Sequence, residues 1–311
     1  MKNTRLIILI FCLILCFESS AQLKFIKNGF RVVDYSRGAP LFKKDSVIDG
    51  INCTIYCQVL DLRFVKLSNF VVEAINKKAL AGKYLTDDKN LSSPYFNALH
   101  FQNALSKIQQ KEQSKPLGII SGSFFEFIEN STPLSFPLKD SGKIVIAGSS
   151  SNGPHLKQTT PFYKSISLKA LVWNDSMVTI KNYDTKTGFP LTEDSFINGF
   201  VSYSYDEHPA IFLRPTQLID KYIVVGTFSS NGSKEDNSLA ILSVTVADIK
   251  VAAETLKQLG VISPIIALTG GGSGFIYNAK AGYTVSTLEE KNVNIYEPLP
   301  QPHYLYFTKK N

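Results

Sequence analysis

Residues 265–277 read IIALTGGGSGFIY, and this stretch constrains the fold more than any other. Four glycines and a serine interrupt an apolar run that otherwise has the character of a strand. Glycine inside a strand costs stability, so a block of it signals a sharp bend or a close approach of the backbone to something else. Successive N–H groups with no side chains in the way can also form a concave anion site. No Gly-Lys-Ser/Thr follows the run, which excludes a nucleotide phosphate loop. A helical segment precedes it and a strand-like one follows, the wrong context for a dinucleotide fingerprint. The structural alternative is a tight turn packed against a neighbouring strand.

The first 21 residues are read as a secretory signal peptide. Lys2 and Arg5 give a basic start, residues 6–17 an apolar core, and Ser19-Ser20-Ala21 a small-residue cleavage site. The apolar core is shorter than the roughly 20 residues a membrane span needs, and no later segment is long and apolar enough. Cleavage near Ala21 predicts a secreted or periplasmic protein. Lipid attachment at Cys16 is the less favoured alternative, because Leu15 stands where a small residue is wanted. Removing Lys2, Arg5 and Glu18 lowers the formal net charge from +7 by one, to +6. That charge is spread thinly, without a basic stripe interleaved with aromatics, so a nucleic-acid partner is not expected.

Cys53 and Cys57 remain after processing. Four apart on a strand, they share a face but stand roughly 13 Å from each other, too far for a disulfide unless the chain bends. Buried free thiols are the favoured reading. No second Cys or His pair lies nearby for zinc, and Asp and Glu are not clustered at ligand spacing; no metal ligands are assigned and no cofactor is expected, and any cation would need residues brought together by the fold.

Along the mature chain, residues 22–51 are read as an N-terminal extension and 52–311 as one domain. Residues 54–67 and 69–75 are rich in β-branched and aromatic residues and are expected to be strands. Ser93-Pro94 has the form of a helix start, with Phe96, Leu99, Ala104, Leu105 and Ile108 on its apolar face. His100 sits beside that face and is read as a packed or surface histidine. Residues 118–126 are read as a strand ending in small residues and then an aromatic pair. The prolines and glycine of 131–142 predict a loop, and 143–147 a strand. Further strands are expected at 165–173, 177–183, 210–213 and 222–227, with a polar loop over 229–237. Residues 246–259 carry a helical stripe of Ile249, Ala252, Leu256 and Leu259, a Thr245/Asp248 capping pair and a Gly260 stop. Few helices among many strands predict an α+β fold, a single domain on a mixed, largely antiparallel sheet with a few packed helices.

Three pieces of this sequence resemble the phosphodiester glycosidase domain family, that of the enzyme which uncovers mannose 6-phosphate. They span roughly residues 54–283. Gly118-Ile119-Ile120-Ser121-Gly122-Ser123-Phe124-Phe125 is similar to the family's strand ending in Asn-small-x-Phe-Phe. Ile197-Asn198-Gly199-Phe200 and His208-Pro209-Ala210-Ile211-Phe212 are similar to its Asn-Gly and Pro-Arg-Thr-Ala segments. The 246–260 helix followed by Ala267-Leu268-Thr269-Gly270-Gly271-Gly272-Ser273 resembles its helix and Leu-Asp-Gly-Gly-Gly-Ser motif, the most specific of the three. Ser121 stands for the family's asparagine, and Thr269 for its aspartate. Gly226-Thr227-Phe228 stands for its Asp-Gly-Arg turn, and the Arg-Thr after proline is absent. Each departure removes a charged or strongly polar group.

The resemblance implies cleavage between a sugar anomeric carbon and a phosphodiester oxygen, with activity reduced or lost. Glycosidases commonly use two carboxyl groups, about 5 to 9.5 Å apart according to stereochemical course. A phosphate leaving group needs less protonation but wants cationic or N–H donors. Threonine suits binding rather than proton transfer at neutral pH. Glu126 and His208 are the catalytic candidates, the histidine because its ordinary pKa lies near 6.5. Substrate-binding candidates are Ser121, Arg214 as a replacement for the lost arginine, Thr227, Thr269, Gly270, Gly271, Gly272 and Ser273. The expected ligand is a glycan or sugar phosphate. A non-catalytic carbohydrate-binding or envelope protein on the same scaffold is the competing reading.

Overall fold

The computed structural model describes residues 24–48, 50–74, 95–125, 132–134, 136–146, 168–184, 186–204, 222–230, 232, 235–244, 249–270, 274–281, 283–286 and 299–310. Three larger sheets and one two-stranded ribbon carry the chain, and every pairing between described strands is antiparallel. The expectation of a largely antiparallel architecture with a few packed helices holds, while the single sheet of an α+β fold gives way to several sheets. The described residues form mostly antiparallel sheets with two longer helices, a more β-rich architecture.

The first sheet comprises β1 (Arg31–Asp34), β2 (Leu41–Ile48), β3 (Ile51–Asp61), β13 (Tyr222–Phe228), β14 (Ser238–Val244) and β15 (Ile266–Gly270), in the order β1-β2-β3-β14-β13-β15. Its strands alternate between two apolar faces, as the period of two requires. Cys53, Ile55, Cys57, Val59, Val224, Ala240 and Leu242 fill one face, while Tyr56, Leu60, Val225, Leu239 and Ile241 fill the other. On the former lies helix α2 (Ile249–Gln258), with Ala252, Ala253 and Leu256 inward. Gly260 ends it in the left-handed region at φ +94°. Thr245 and Asp248, expected as its capping pair, lie outside the described residues. Both cysteines are free and buried on the same sheet face, as their spacing suggested. Burial pushes the Cys57 thiol well above its ordinary value.

Strands β4 (Val65–Val71), β6 (Gly118–Ser121), β16 (Phe275–Asn278), β17 (Tyr283–Ser286) and β18 (His303–Lys309) make another sheet, ordered β17-β16-β6-β18-β4. Leu67, Ile120, Ile276, Leu305 and Phe307 pack toward the first sheet. Ile119, Phe275, Tyr304 and Tyr306 face helix α1 (Phe101–Glu112), which buries Phe101, Ala104 and Ile108. Helix, sheet, sheet and helix thus stack in layers. The third sheet holds β8 (Leu138–Asp140), β9 (Lys143–Ile146), β10 (Leu168–Trp173), β11 (Val178–Asn182) and β12 (Asn198–Tyr203), ordered β11-β10-β12-β8-β9. β5 (Tyr95–Phe96) and β7 (Thr132–Pro133) form the ribbon.

Several expected elements differ. Residues 54–67 do not make one strand: the chain turns at Leu62 to Phe64 and returns as β4. Helix α1 starts at Phe101 rather than after Ser93. Phe96 bridges Ala74 and Leu99 bridges Gln301, which keeps the chain extended to that point, and His100 is the N-cap. The stretch 131–142 contains β7 and β8 besides its turn. The stretch read as an N-terminal extension contributes β1 and β2, and β2 pairs along its length with β3. Among the described residues no helix is long and apolar enough to cross a membrane.

Candidate functional site

The glycine run lies where the chain passes from one sheet to another. β15 enters it paired with β13, with Gly270 opposite Tyr222, and β16 leaves it paired with β6, with Ile276 opposite Ile120. The side chain of Thr269 and all of Gly271, Gly272 and Ser273 lie outside the described residues, as do Glu126, His208 and Arg214. Gly274 and Phe275, at the exit, are buried.

Ser121 closes β6 against that exit. Its Oγ accepts the Phe275 N–H at 2.7 Å and lies 3.3 Å from the Phe275 carbonyl oxygen, to which it donates. This candidate hydroxyl is thus committed to the backbone of the glycine turn.

The next two residues meet β18. Gly122 approaches His303 so closely that a Cβ there would lie 2.5 Å from the His303 carbonyl oxygen and 2.6 Å from the ring Cγ. Such spacing admits glycine alone without movement of the neighbour. The Ser123 N–H donates to His303 Nδ1 at 2.9 Å, and His303 Nε2 lies 3.0 Å from Asn69 Oδ1. An imidazole that accepts at Nδ1 must carry its proton on Nε2, and so donates to Asn69. Burial drives the His303 pKa down to about 3, and the ring is neutral at physiological pH.

Asn69 carries the network into the third sheet. Its Nδ2 donates to the Lys139 carbonyl at 2.9 Å and reaches Asn198 Oδ1 at 3.4 Å, which also accepts the Ser141 N–H at 3.0 Å. Beside it, burial raises the pKa of Asp140, against the opposing influence of Lys111 and of hydrogen bonds from Ser141 and Asn69.

The end of β12 meets the start of β15, about 13 Å along that strand from Gly270. Ser202 Oγ donates to the Ala267 carbonyl, and Ser204 bridges Ile266. Phe124, Phe136 and Tyr203 form an edge-to-face trio, the Phe124 and Tyr203 centroids being 5.5 Å apart. Among the described residues, the junction of β6 with β16 and β18 holds the Ser121 hydroxyl, the Asn69 amide and a neutral imidazole, all buried. Among the described residues no cluster of three or more His, Cys, Asp or Glu side chains could hold a metal.

Thr227 lies elsewhere. It is five residues along β13 from Tyr222, roughly 17 Å from the Gly270 end at the usual strand rise. Its Oγ1 donates to Asp236 Oδ2 at 2.6 Å, and its N–H donates to Ser263 Oγ at 2.7 Å. Of the sequence candidates, Ser121 and Gly270 are brought to the same crossing and Thr227 is not. Sequence reasoning missed His303, Asn69 and Ser123. For His303 the available signal was a lone histidine opening the strand-like run His-Tyr-Leu-Tyr-Phe.

No protein-family model matches the chain, and no curated protein matches it in sequence. Among solved structures, the fold is similar to the zebrafish N-acetylglucosamine-1-phosphodiester alpha-N-acetylglucosaminidase catalytic domain auto-inhibited by its pro-peptide. The identity is 13%, covering 88% of this chain and 83% of that one, with a TM-score of 0.51. A hypothetical protein from Synechocystis gives a TM-score of 0.48 at 10% identity, covering 90% of this chain. This chain spans 64% of the length of that protein. These are distant likenesses of fold.

Proposed function

We propose that this chain is an exported protein, processed near Ala21, that binds sugar 1-phosphodiesters and hydrolyses them at the glycine crossing. The supporting observation is the hydrogen-bonded joint between Ser121 and Phe275, which fixes the end of β6 against the exit of the glycine run. The fold similarity to a phosphodiester glycosidase catalytic domain adds support at the level of architecture. Unhindered N–H groups in the run would hold the phosphate oxygens. In this reading Glu126 and His208 serve acid–base chemistry, and Arg214 offsets phosphate charge. Thr269 and Ser273 bind the sugar phosphate.

Incubation with a sugar 1-phosphodiester tests it. Release of free sugar, lost in Glu126→Gln and His208→Asn, is the expected result. A second reading, non-catalytic carbohydrate binding on the same scaffold, is favoured by one observation: His303, the histidine at the crossing, is neutral and hydrogen-bonded at both nitrogens. Saturable binding without turnover selects that reading. Neither turnover nor binding refutes both.

A further inference from the structure

The outer edge of the first sheet carries apolar and basic side chains together. Strand β1 is the last strand on that side, and a helical turn over residues 24–27 leads into it. The Gly29 N–H donates to the Ile26 carbonyl and the Phe30 N–H to the Phe25 carbonyl, each at 3.0 Å, which folds the turn back beside the start of β1. Phe25 and Phe30 point inward, and the Phe25 ring stacks on Phe42 with centroids 4.2 Å apart. Ile26, Val32, Val33 and Tyr35 do not, and each is 40% to 53% exposed. They are four of the nine large apolar side chains exposed among the described residues, gathered within ten residues of chain.

The charge of this edge is one-sided. Residues 24–45 hold Lys24, Lys27, Arg31, Arg37, Lys43 and Lys44 against Asp34 and Asp45. Lys24, Lys27, Arg31 and Arg37 are exposed. Asp34 is buried, held by Ser36, Asn278 and Lys280, whose Nζ lies 3.2 Å from its Oδ1. The exposed Lys280 also donates to the Tyr35 carbonyl at 3.3 Å, which sets a further cation beside that ring. Asp45 is flanked by Arg31 at 3.1 Å and Lys43 at 3.5 Å.

We infer that this edge docks on an anionic bilayer surface, with Ile26, Val32, Val33 and Tyr35 in the headgroup layer and the surrounding cations on the lipid phosphates. Apolar side chains ringed by lysine and arginine bind at such an interface, and an aromatic ring suits headgroup depth. A second copy fits less well. Two such edges repel each other, and the shifted register between Val32 and Asp34 breaks the ladder that a neighbouring strand would extend. A nucleic acid would leave the four apolar side chains in water. The inference does not depend on the glycine crossing.

The test is co-sedimentation of the processed chain with vesicles of phosphatidylcholine alone or with about 30% phosphatidylglycerol, in about 0.1 M and about 0.5 M salt. The expected result is binding to the anionic vesicles that weakens at the higher salt. Lys24→Gln/Lys27→Gln should weaken it about 25-fold, about fivefold per cation. Val32→Thr/Val33→Thr should weaken it about fivefold at both salt concentrations. Thermal melts should show both variants folded. Lys107→Gln/Lys186→Gln removes the same charge from exposed positions on α1 and after β11, and should leave binding within about twofold of wild type. Equal binding to both vesicles, binding to neither, or an equal loss in Lys107→Gln/Lys186→Gln overturns the inference. Binding to neither, with a dimer in sedimentation velocity that Val32→Thr/Val33→Thr dissociates, gives the edge to a second copy instead.

Discussion

Replacing Gly122 with alanine adds one methyl group where the chain has no room for it. The added carbon would lie 2.5 Å from the His303 carbonyl oxygen and 2.6 Å from the ring Cγ, and closer still to Nδ1. Gly122 is outside the left-handed region, so alanine loses nothing through backbone conformation. By restricting the unfolded chain it would by itself stabilise by about 0.4–1 kcal/mol. Any destabilisation is then steric. Overpacking of this kind costs about 1–3 kcal/mol. Displacing the imidazole also breaks the 2.9 Å bond from the Ser123 N–H and strands a buried donor, a further loss of about 1–3 kcal/mol. The net expectation is about 3 kcal/mol. Urea unfolding monitored by circular dichroism should show a midpoint lower by about 1 M or more, and thermal unfolding a Tm lower by several degrees. A Gly122→Ala protein with wild-type midpoint and slope would refute the packing of β6 against His303.

His303 makes stability depend on pH in a defined sense. The unfolded ring takes up a proton near pH 6.5, whereas the folded ring resists until about pH 3. Stability is therefore complete above pH 6.5 and declines as pH falls toward 3, by up to about 1.4 kcal/mol per unit. His303→Gln, whose amide can accept from Ser123 and donate to Asn69, should flatten the stability profile between pH 4 and 6.5 by about one proton's worth; an unaltered slope argues against a buried neutral ring. Thr227→Val should cost about 1–2 kcal/mol by leaving Asp236 short of a donor, while ligand affinity stays at the wild-type level. A selective loss of affinity in Thr227→Val would place the ligand at the other end of β13.

Local chemistry made some of this architecture legible. Ala252, Leu256 and Leu259, followed by Gly260, encode helix α2 through their spacing and stop signal, and the structure buries those three side chains. Cys53 and Cys57 share a face because strands repeat every two residues. The glycine run marked a break between two strands, and the structure puts β15 and β16 on its two sides, in different sheets. The start of α1 was not legible, because the bridges that hold Phe96 and Leu99 extended come from Ala74 and Gln301. The same holds for the crossing itself. Asn69 and His303 are 234 positions apart, and no short-range pattern encodes their pairing. Ser121 was singled out by resemblance to a motif; its commitment to Phe275 follows from strand register alone.

The place of β18 between β4 and β6 bears on how the molecule matures. The strand that inserts into the middle of its sheet follows, in chain order, the four other strands described in that sheet. Until residues 303–309 emerge, β4 and β6 each present an unfilled edge, and the N–H of Ser123 has no imidazole to meet. A nascent chain that has reached only β17 still lacks the wedge that joins the two halves of that sheet, so β4 and β6 share one sheet only once β18 has been made.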